Sequence, residues 1–274
     1  MQTVKFSNDA IVPALGQGTW HMGRSADSRA AEADALRLGM DLGMTLIDTA
    51  EMYHDAESVV GEALKGRRDE AFIVSKVLPS NASYSGTLRA CEKSLDKLKT
   101  DHIDLYLLHW PGSHPLEETV RAFEELVARG SIGAWGVSNF DTAEMEALSS
   151  LPGGDLVMTN QVLYNLEVRN IEWSLLPWCR QREVTVMAYS PLNQGNIDLD
   201  KLESMAHRYS VNPAQVALAW LLHQDQVMVI PKSADPVHVT QNASARDIRL
   251  DREDLVLLDE MFPPPAGDSY LPML

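Results

Sequence analysis

Four residues in the first half of the chain have the types and spacing to move a proton. Asp48 closes the apolar run Thr45-Leu46-Ile47-Asp48, and Tyr53 lies five residues on, after Thr49-Ala50-Glu51-Met52. Lys76 closes Phe72-Ile73-Val74-Ser75-Lys76, and His109 follows Ile103-Asp104-Leu105-Tyr106-Leu107-Leu108. A lysine at the end of an apolar run is costly to bury unpaired, so it must find a carboxylate. Asp48, at the end of the neighbouring run, is the obvious partner. An ammonium beside a phenol favours the phenolate, so Lys76 is expected to lower the pKa of Tyr53 from its reference near ~10. Tyr53 would then protonate a developing alkoxide, or deprotonate an alcohol in reverse. Asp48 would keep Lys76 charged, and His109 would hydrogen-bond and orient the carbonyl oxygen. Each residue alone has a plainer reading, as a salt bridge, a core histidine or a packing aromatic. Together, at consecutive strand ends, they are expected to form one catalytic group.

The elements that must position them recur at steady intervals. Eight short apolar runs, at 15–18, 45–48, 72–76, 104–109, 134–138, 158–162, 184–190 and 227–231, read as strands. Most are nearly continuous rather than alternating, as expected for parallel strands covered on both faces. Helical spacing fills intervals between them, most clearly at 30–42 before Gly43, 116–128 before Gly130, 171–182, and 213–222 with Pro213 in its first turn. No linker or shift of composition divides the chain. Residues 1–274 are therefore expected to form a single α/β domain, a (β/α)8 TIM barrel. Residues 1–13 read as an N-terminal β-hairpin turning at Ser7-Asn8-Asp9 and covering the barrel bottom. Residues 263–274 read as an extended C-terminal tail, because Pro263, Pro264 and Pro265 remove donors and fix φ. On such a barrel catalytic groups belong at the C-terminal ends of strands, where all four candidates fall.

Composition narrows the function classes. The 274 residues carry 23 Lys plus Arg against 39 Asp plus Glu, a net charge of −16, which argues against a nucleic-acid or anionic-membrane partner. Cys91 and Cys179 show no CxxC spacing and read as free thiols in a reducing cytosol. With neither a leader pattern at the N-terminus nor an apolar stretch of ~20 residues, the expected location is cytoplasmic. The eight histidines form no HxxxH or HxH cluster, so no metal site is expected. Gly16-Gln17-Gly18 is too short for a Rossmann fingerprint. In a barrel, cofactor phosphates belong instead near the seventh and eighth strands.

Several longer motifs occur in order. They are Gly43-Met44-Thr45-Leu46-Ile47-Asp48-Thr49-Ala50-x-x-Tyr53 with Glu57 and Gly61, then Asp101-x-Ile103-Asp104-Leu105-Tyr106-x-x-His109. Trp135-Gly136-Val137-Ser138-Asn139-Phe140, Asn160-Gln161-Val162 and Ile230-Pro231-Lys232-Ser233 follow. From Leu15 to about Pro263 the chain resembles the aldo-keto reductase superfamily, and within it the compact bacterial aldehyde and methylglyoxal reductases. The resemblance implies the tetrad Asp48, Tyr53, Lys76 and His109, with hydride transfer from NADPH to a small aldehyde or ketone and Tyr53 as general acid/base. It also implies nicotinamide stacking on Tyr189 and carboxamide binding by Ser138, Asn139 and Gln161. Ser190, Pro191, Leu192 and Asn193 would take the pyrophosphate, with Gly18, Thr19, Trp20, Asp48, Gly195 and Ile230 also lining the cofactor. Lys232 and Ser233 would meet the 2′-phosphate of NADP, and Asn242 the adenine.

The family usually has an arginine five residues after that serine, where this chain has His238, and a glutamate where it has Gln241. Arginine offers phosphate a bidentate fork that neutral histidine lacks. NADPH should therefore remain preferred, but less strongly, with NADH a weaker alternative. Trp20, Tyr53, His109 and Trp110 would frame the substrate pocket, with Tyr270 a further wall, around a small carbonyl compound. The chain is expected to be a monomer or weak homodimer. Two other readings remain: a barrel lyase using Lys76 as a Schiff-base nucleophile, and a non-catalytic nicotinamide-sensing subunit.

Overall fold

Eight parallel strands form one sheet whose spatial order follows the chain. They are β3 (Gln17–Gly18), β4 (Leu46–Asp48), β5 (Phe72–Val77), β6 (Ile103–Leu108), β7 (Ile132–Ser138), β8 (Thr159–Leu163), β9 (Thr185–Tyr189) and β10 (Val227–Val229). This computed structural model describes residues 2–274; residue 1 of the expected hairpin span lies outside the described residues. The sheet closes on itself through a parallel bridge between Leu15 and Val229. Backbone bonds from Gly16 to Val229 (2.8 Å) and from Gly18 to Pro231 (3.0 Å) complete the seam. Closure removes both sheet edges. Every residue of β4, β8 and β10 is buried, which is why those runs lack alternation.

The helices of the outer layer are α1 (Arg29–Asp41), α2 (Ala56–Ala63), α3 (Tyr84–Leu98), α4 (Leu116–Ala128) and α5 (Thr142–Ser149). They continue with α6 (Leu175–Gln181), α7 (Glu203–Tyr209), α8 (Pro213–Leu222), α9 (Pro236–Ser244) and α10 (Arg252–Met261). Local chemistry sets their ends. Asn212 and Gln215 form a reciprocal capping box at the start of α8, with Pro213 in the first turn. Gly130 follows α4 at φ 75°, a conformation that costs glycine little.

One expected helix is not continuous. Over 171–182 the chain makes a 3₁₀ turn at Asn170–Glu172 and then starts afresh as α6. Pro177 explains the break. In a helix begun at Ile171 its missing N–H and its ring would disrupt the bond to the Trp173 carbonyl, whereas in α6 it falls in the first turn.

At the bottom of the barrel, β1 (Thr3–Lys5) and β2 (Ile11–Pro13) form an antiparallel hairpin. Val4, Phe6 and Val12 are buried beneath it. Phe6 meets Phe72 at 5.7 Å between ring centroids, and the Ser7 hydroxyl lies 3.0 Å from the Met158 sulfur. Both contacted residues lie at the N-terminal ends of strands, so the hairpin caps the end opposite the site. After Phe262 the chain has no regular structure and runs back across the fold, tied by Asn170 to Ser269 at 2.6 Å.

Candidate active site

Strand polarity brings the four candidate residues to one mouth of the barrel. Asp48 is the last residue of β4, Lys76 the penultimate residue of β5, and His109 follows β6 directly. Lys76 is completely buried. Its ammonium reaches both Asp48 carboxylate oxygens at 2.8 Å and the Thr49 carbonyl at 2.8 Å. Tyr53 Oη lies 3.5 Å from the same nitrogen. Burial pushes the Asp48 carboxyl up and the Lys76 ammonium down, and each charge opposes that effect on the other. With Asp48 bridging it, Lys76 is held as a charge rather than freed as an amine, which argues against a Schiff-base nucleophile.

Tyr53 departs from the sequence-based expectation. Its phenol is held well above the usual range, first by burial, then by the negative charge of Asp48 and by Tyr189. The ammonium that was to acidify it is already neutralised by Asp48. The phenol therefore enters the site with its proton on. His109 is held as a neutral imidazole, with a pKa lowered to about 2 by burial and by the charge on Lys76. Its Nδ1 is buried without a hydrogen-bond partner among the described residues.

The aromatic residues of the expected pocket pack in a row, edge to face around Tyr53 and tilted at His109. Trp20 meets Tyr53 at 4.8 Å, Tyr53 meets His109 at 5.6 Å, and His109 meets Trp110 at 4.8 Å between ring centroids. Tyr270 does not join them, because its side chain is 82% exposed. The tail approaches through its backbone instead, with the Leu274 N–H donating to Tyr189 Oη at 3.3 Å.

Ser138, Asn139, Gln161 and Tyr189 lie in one hydrogen-bonded chain with Asp48. Gln161 Nε2 donates to Asp48 at 2.7 Å, and the Ser138 hydroxyl donates to the Gln161 carbonyl at 2.7 Å. Asn139 donates to the Ser138 hydroxyl at 3.0 Å and to the His109 carbonyl at 3.1 Å, and accepts from Tyr189 Oη at 3.0 Å. Asn139 holds this position in a left-handed conformation, φ 59°. The carboxamide-binding expectation thus acquires a second aspect. These amides tie Asp48, His109 and Tyr189 to one another, and Asn139 has both amide protons engaged by the protein.

The remaining cofactor candidates flank the closing seam. A Cβ added at Gly18 would stand 2.9 Å from the Ile230 carbonyl and 3.6 Å from Lys232 Cβ. Thr19 donates to the Asp48 carbonyl at 2.9 Å. Beyond β9, Ser190 and Asn193 take positive φ, and the loop through Pro191, Leu192 and Gly195 folds into a tight turn. The Asn193 amide is turned toward Glu167 at 2.8 Å. Lys232 is exposed and makes no ion pair among the described residues, while Ser233 accepts from the Asp235 N–H at 3.0 Å. His238, Gln241 and Asn242 all lie on α9, the first exposed and the last buried.

Two contributors were not singled out by residue type. The Thr49 carbonyl is a third acceptor for Lys76, a backbone role that residue type does not signal. Asn165 is fully buried and holds two loops together, donating to the Ser190 carbonyl at 3.0 Å and accepting from Glu167 and Val168 at 3.0 Å. Its position just past an apolar run was the available hint. Cys91 and Cys179 are buried and free, with thiols pushed up to about 12 by burial, so both are unreactive. Among the described residues no group of metal-binding side chains assembles, and no helix is long and apolar enough to cross a membrane.

Comparison with known proteins gives a consistent result. The sequence profile of the aldo/keto reductase family matches residues 14–262. The chain is 51% identical to methylglyoxal reductase YeaE of Escherichia coli, over 99% of this chain and 98% of that one. It is 35% identical to glyoxal reductase of Bacillus subtilis, over 94% of this chain and 92% of that one. Among solved structures, an aldo/keto reductase from Klebsiella pneumoniae in complex with NADP and acetate superposes with a TM-score of 0.97. It is 50% identical, and the match covers 100% of this chain and 99% of that one.

Proposed function

The chain belongs to the aldo/keto reductase family of oxidoreductases, and we propose that it reduces small aldehydes, 2-oxoaldehydes above all, with NADPH as the hydride source and Tyr53 as the proton donor. The substrate class follows the relatives, methylglyoxal reductase and glyoxal reductase. The proton inventory of the site supports the direction. A phenol that keeps its proton is ready to give it to an alkoxide, whereas alcohol oxidation needs a phenolate, which burial and Asp48 oppose.

The donor set near the closing seam fits an anionic dinucleotide. Lys232 is unpaired among the described residues, the Ser190 and Ser233 hydroxyls lie on the loops that follow β9 and β10, and the Asp235 carboxylate is occupied by the Val237 N–H at 2.7 Å. Lys232 and Ser233 would hold the 2′-phosphate, Asn242 the adenine, and the loop from Ser190 to Gly195 the pyrophosphate. Trp20, Thr19, Gly18 and Ile230 would border the nicotinamide half, with Tyr189 beneath the ring and Gln161 and Ser138 at its carboxamide. Reduced nicotinamide supplies the hydride when bound. His109 donates the one N–H of its neutral ring to the substrate carbonyl, which orients the carbon and favours negative charge on the oxygen. Tyr53 passes its proton to that oxygen, and the Lys76 ammonium, 3.5 Å away, is the hydrogen-bond donor nearest the phenolate oxygen left behind. Asp48 keeps Lys76 charged throughout. Trp20 and Trp110 wall a pocket suited to a small carbonyl compound.

The observation that carries this reading is the completely buried Lys76 ammonium held between Asp48 and Tyr53. NADPH oxidation should accelerate with methylglyoxal and glyoxal in a panel of carbonyl compounds. Tyr53→Phe should lose about 10²–10⁴-fold in kcat while still quenching on NADPH binding. Turnover confined to secondary alcohols, or full activity in Tyr53→Phe, would sink it.

A further inference from the structure

Glu51 lies between Asp48 and Tyr53 and is half-buried. Its backbone N–H donates to the Lys76 carbonyl at 3.2 Å. Its side chain turns the same way: Oε1 accepts the Leu78 N–H, and both oxygens accept from Asn81 Nδ2 at 3.1 Å. Leu78 is two residues beyond Lys76, and Asn81 ends the 3₁₀ turn Pro79–Asn81 that follows. The loop that carries Tyr53 is thus fastened on both sides of Val77 to the chain that carries Lys76. Carboxylate bonds to N–H donors are among the stronger hydrogen bonds, so this fastening resists slippage.

The tip of Tyr53 has no comparable anchor. Its hydroxyl has one contact within hydrogen-bonding range among the described residues, Lys76 at 3.5 Å. Immediately after it the backbone reverses at His54, φ 47°, into the start of α2. The placement of the phenol is therefore set by the Trp20 and His109 rings it packs against and by its backbone, where Glu51 acts.

We propose that Glu51 is a positioning residue for proton transfer, whose carboxylate locks the Tyr53 loop onto the end of β5 and sets the separation of phenol and ammonium. The inference rests on the reading of Tyr53 as proton donor. The groups facing the phenol are Asp48, Lys76, His109 and Tyr189, none of which Glu51 replaces. Glu51 touches no reacting atom.

The test uses the full-length protein. In Glu51→Ala, kcat for methylglyoxal with saturating NADPH falls about tenfold or more, as expected for a misplaced reacting group, while NADPH affinity measured by fluorescence quenching is unchanged. Glu51→Gln keeps an oxygen for the Leu78 N–H and recovers most of kcat. Loosening the loop also admits water to the phenol. The alkaline ultraviolet difference spectrum of each protein against its Tyr53→Phe counterpart then shows ionisation at lower pH in Glu51→Ala than in the wild type. Unchanged kcat in Glu51→Ala, or a fall in kcat with that ionisation unmoved, overturns the proposal. A wild-type protein without turnover counts against the reductase reading alone, because the Tyr53 ionisation still decides whether Glu51 positions it.

Discussion

His109 shows how a single residue ties the chemistry to stability. Folded, its ring refuses a proton until pH falls to about 2, whereas the unfolded chain's histidine takes one near ~6.5. Between those values the unfolded state binds more protons, so stability falls as pH falls, by up to about 1.4 kcal/mol per unit. Asp48 works in the opposite sense above the ordinary carboxylate range, because its folded carboxyl is raised. Comparing variants that share Asp48 isolates the histidine. In urea unfolding the stability of His109→Gln should gain less than that of the wild type as pH rises from about 4.5 to 6.5; parallel curves would mean that His109 is not buried neutral. Lys76 gives the complementary case. Lys76→Met strands a buried carboxylate and should cost about 3–5 kcal/mol in the same experiment, and adding Asp48→Asn should recover part of that loss. A Lys76→Met protein as stable as the wild type would mean that the pair is not closed off from solvent.

At the scale of elements, close contacts decide where the sequence could be read and where it could not. The barrel was legible because eight runs stop at eight strand ends, and α4 and α8 were legible to the residue because Gly130, Asn212 and Pro213 punctuate them. The break before α6 was legible only through Pro177, whose effect depends on where the helix starts. Tyr53 was placed correctly by spacing, but its acidity was not, since the charge of Lys76 is spent on Asp48 at 2.8 Å and composition cannot show that. Packing of helix on strand was hidden altogether. Gly39 lies on the buried face of α1, where an added Cβ would fall 2.0 Å from Gln17 Oε1. Gln17 has little freedom to give way, because its amide donates to the Leu36 and Met44 carbonyls at 3.1 and 2.9 Å. Ordinary helix propensity favours alanine over glycine by about 1 kcal/mol. Here the overlap should win, and Gly39→Ala should destabilise by about 1–3 kcal/mol, read as a lower thermal midpoint. A higher midpoint would show that α1 shifts off the barrel at no cost.

For the molecule as a whole, the charge distribution opposes the proposed cofactor at long range and favours it at contact. A chain of net charge −16 repels an anionic dinucleotide until it reaches Lys232, which no carboxylate neutralises among the described residues. Repulsion acts across the Debye length, about 30 Å at 0.01 M salt and about 8 Å at 0.15 M. A contact at Lys232 is screened much less. The association rate of NADPH should therefore rise with salt over that range, whereas the dissociation rate should respond weakly. The specificity between NADPH and NADH rests on the contact alone. His238→Arg adds a guanidinium beside the proposed 2′-phosphate site, and a charged hydrogen bond there is worth about 1–3 kcal/mol. NADPH should bind about five- to 150-fold more tightly in that variant, with NADH unchanged, in parallel fluorescence titrations. Equal gains for both cofactors would mean that the new charge acts only through the overall field, and that α9 does not face the 2′-phosphate.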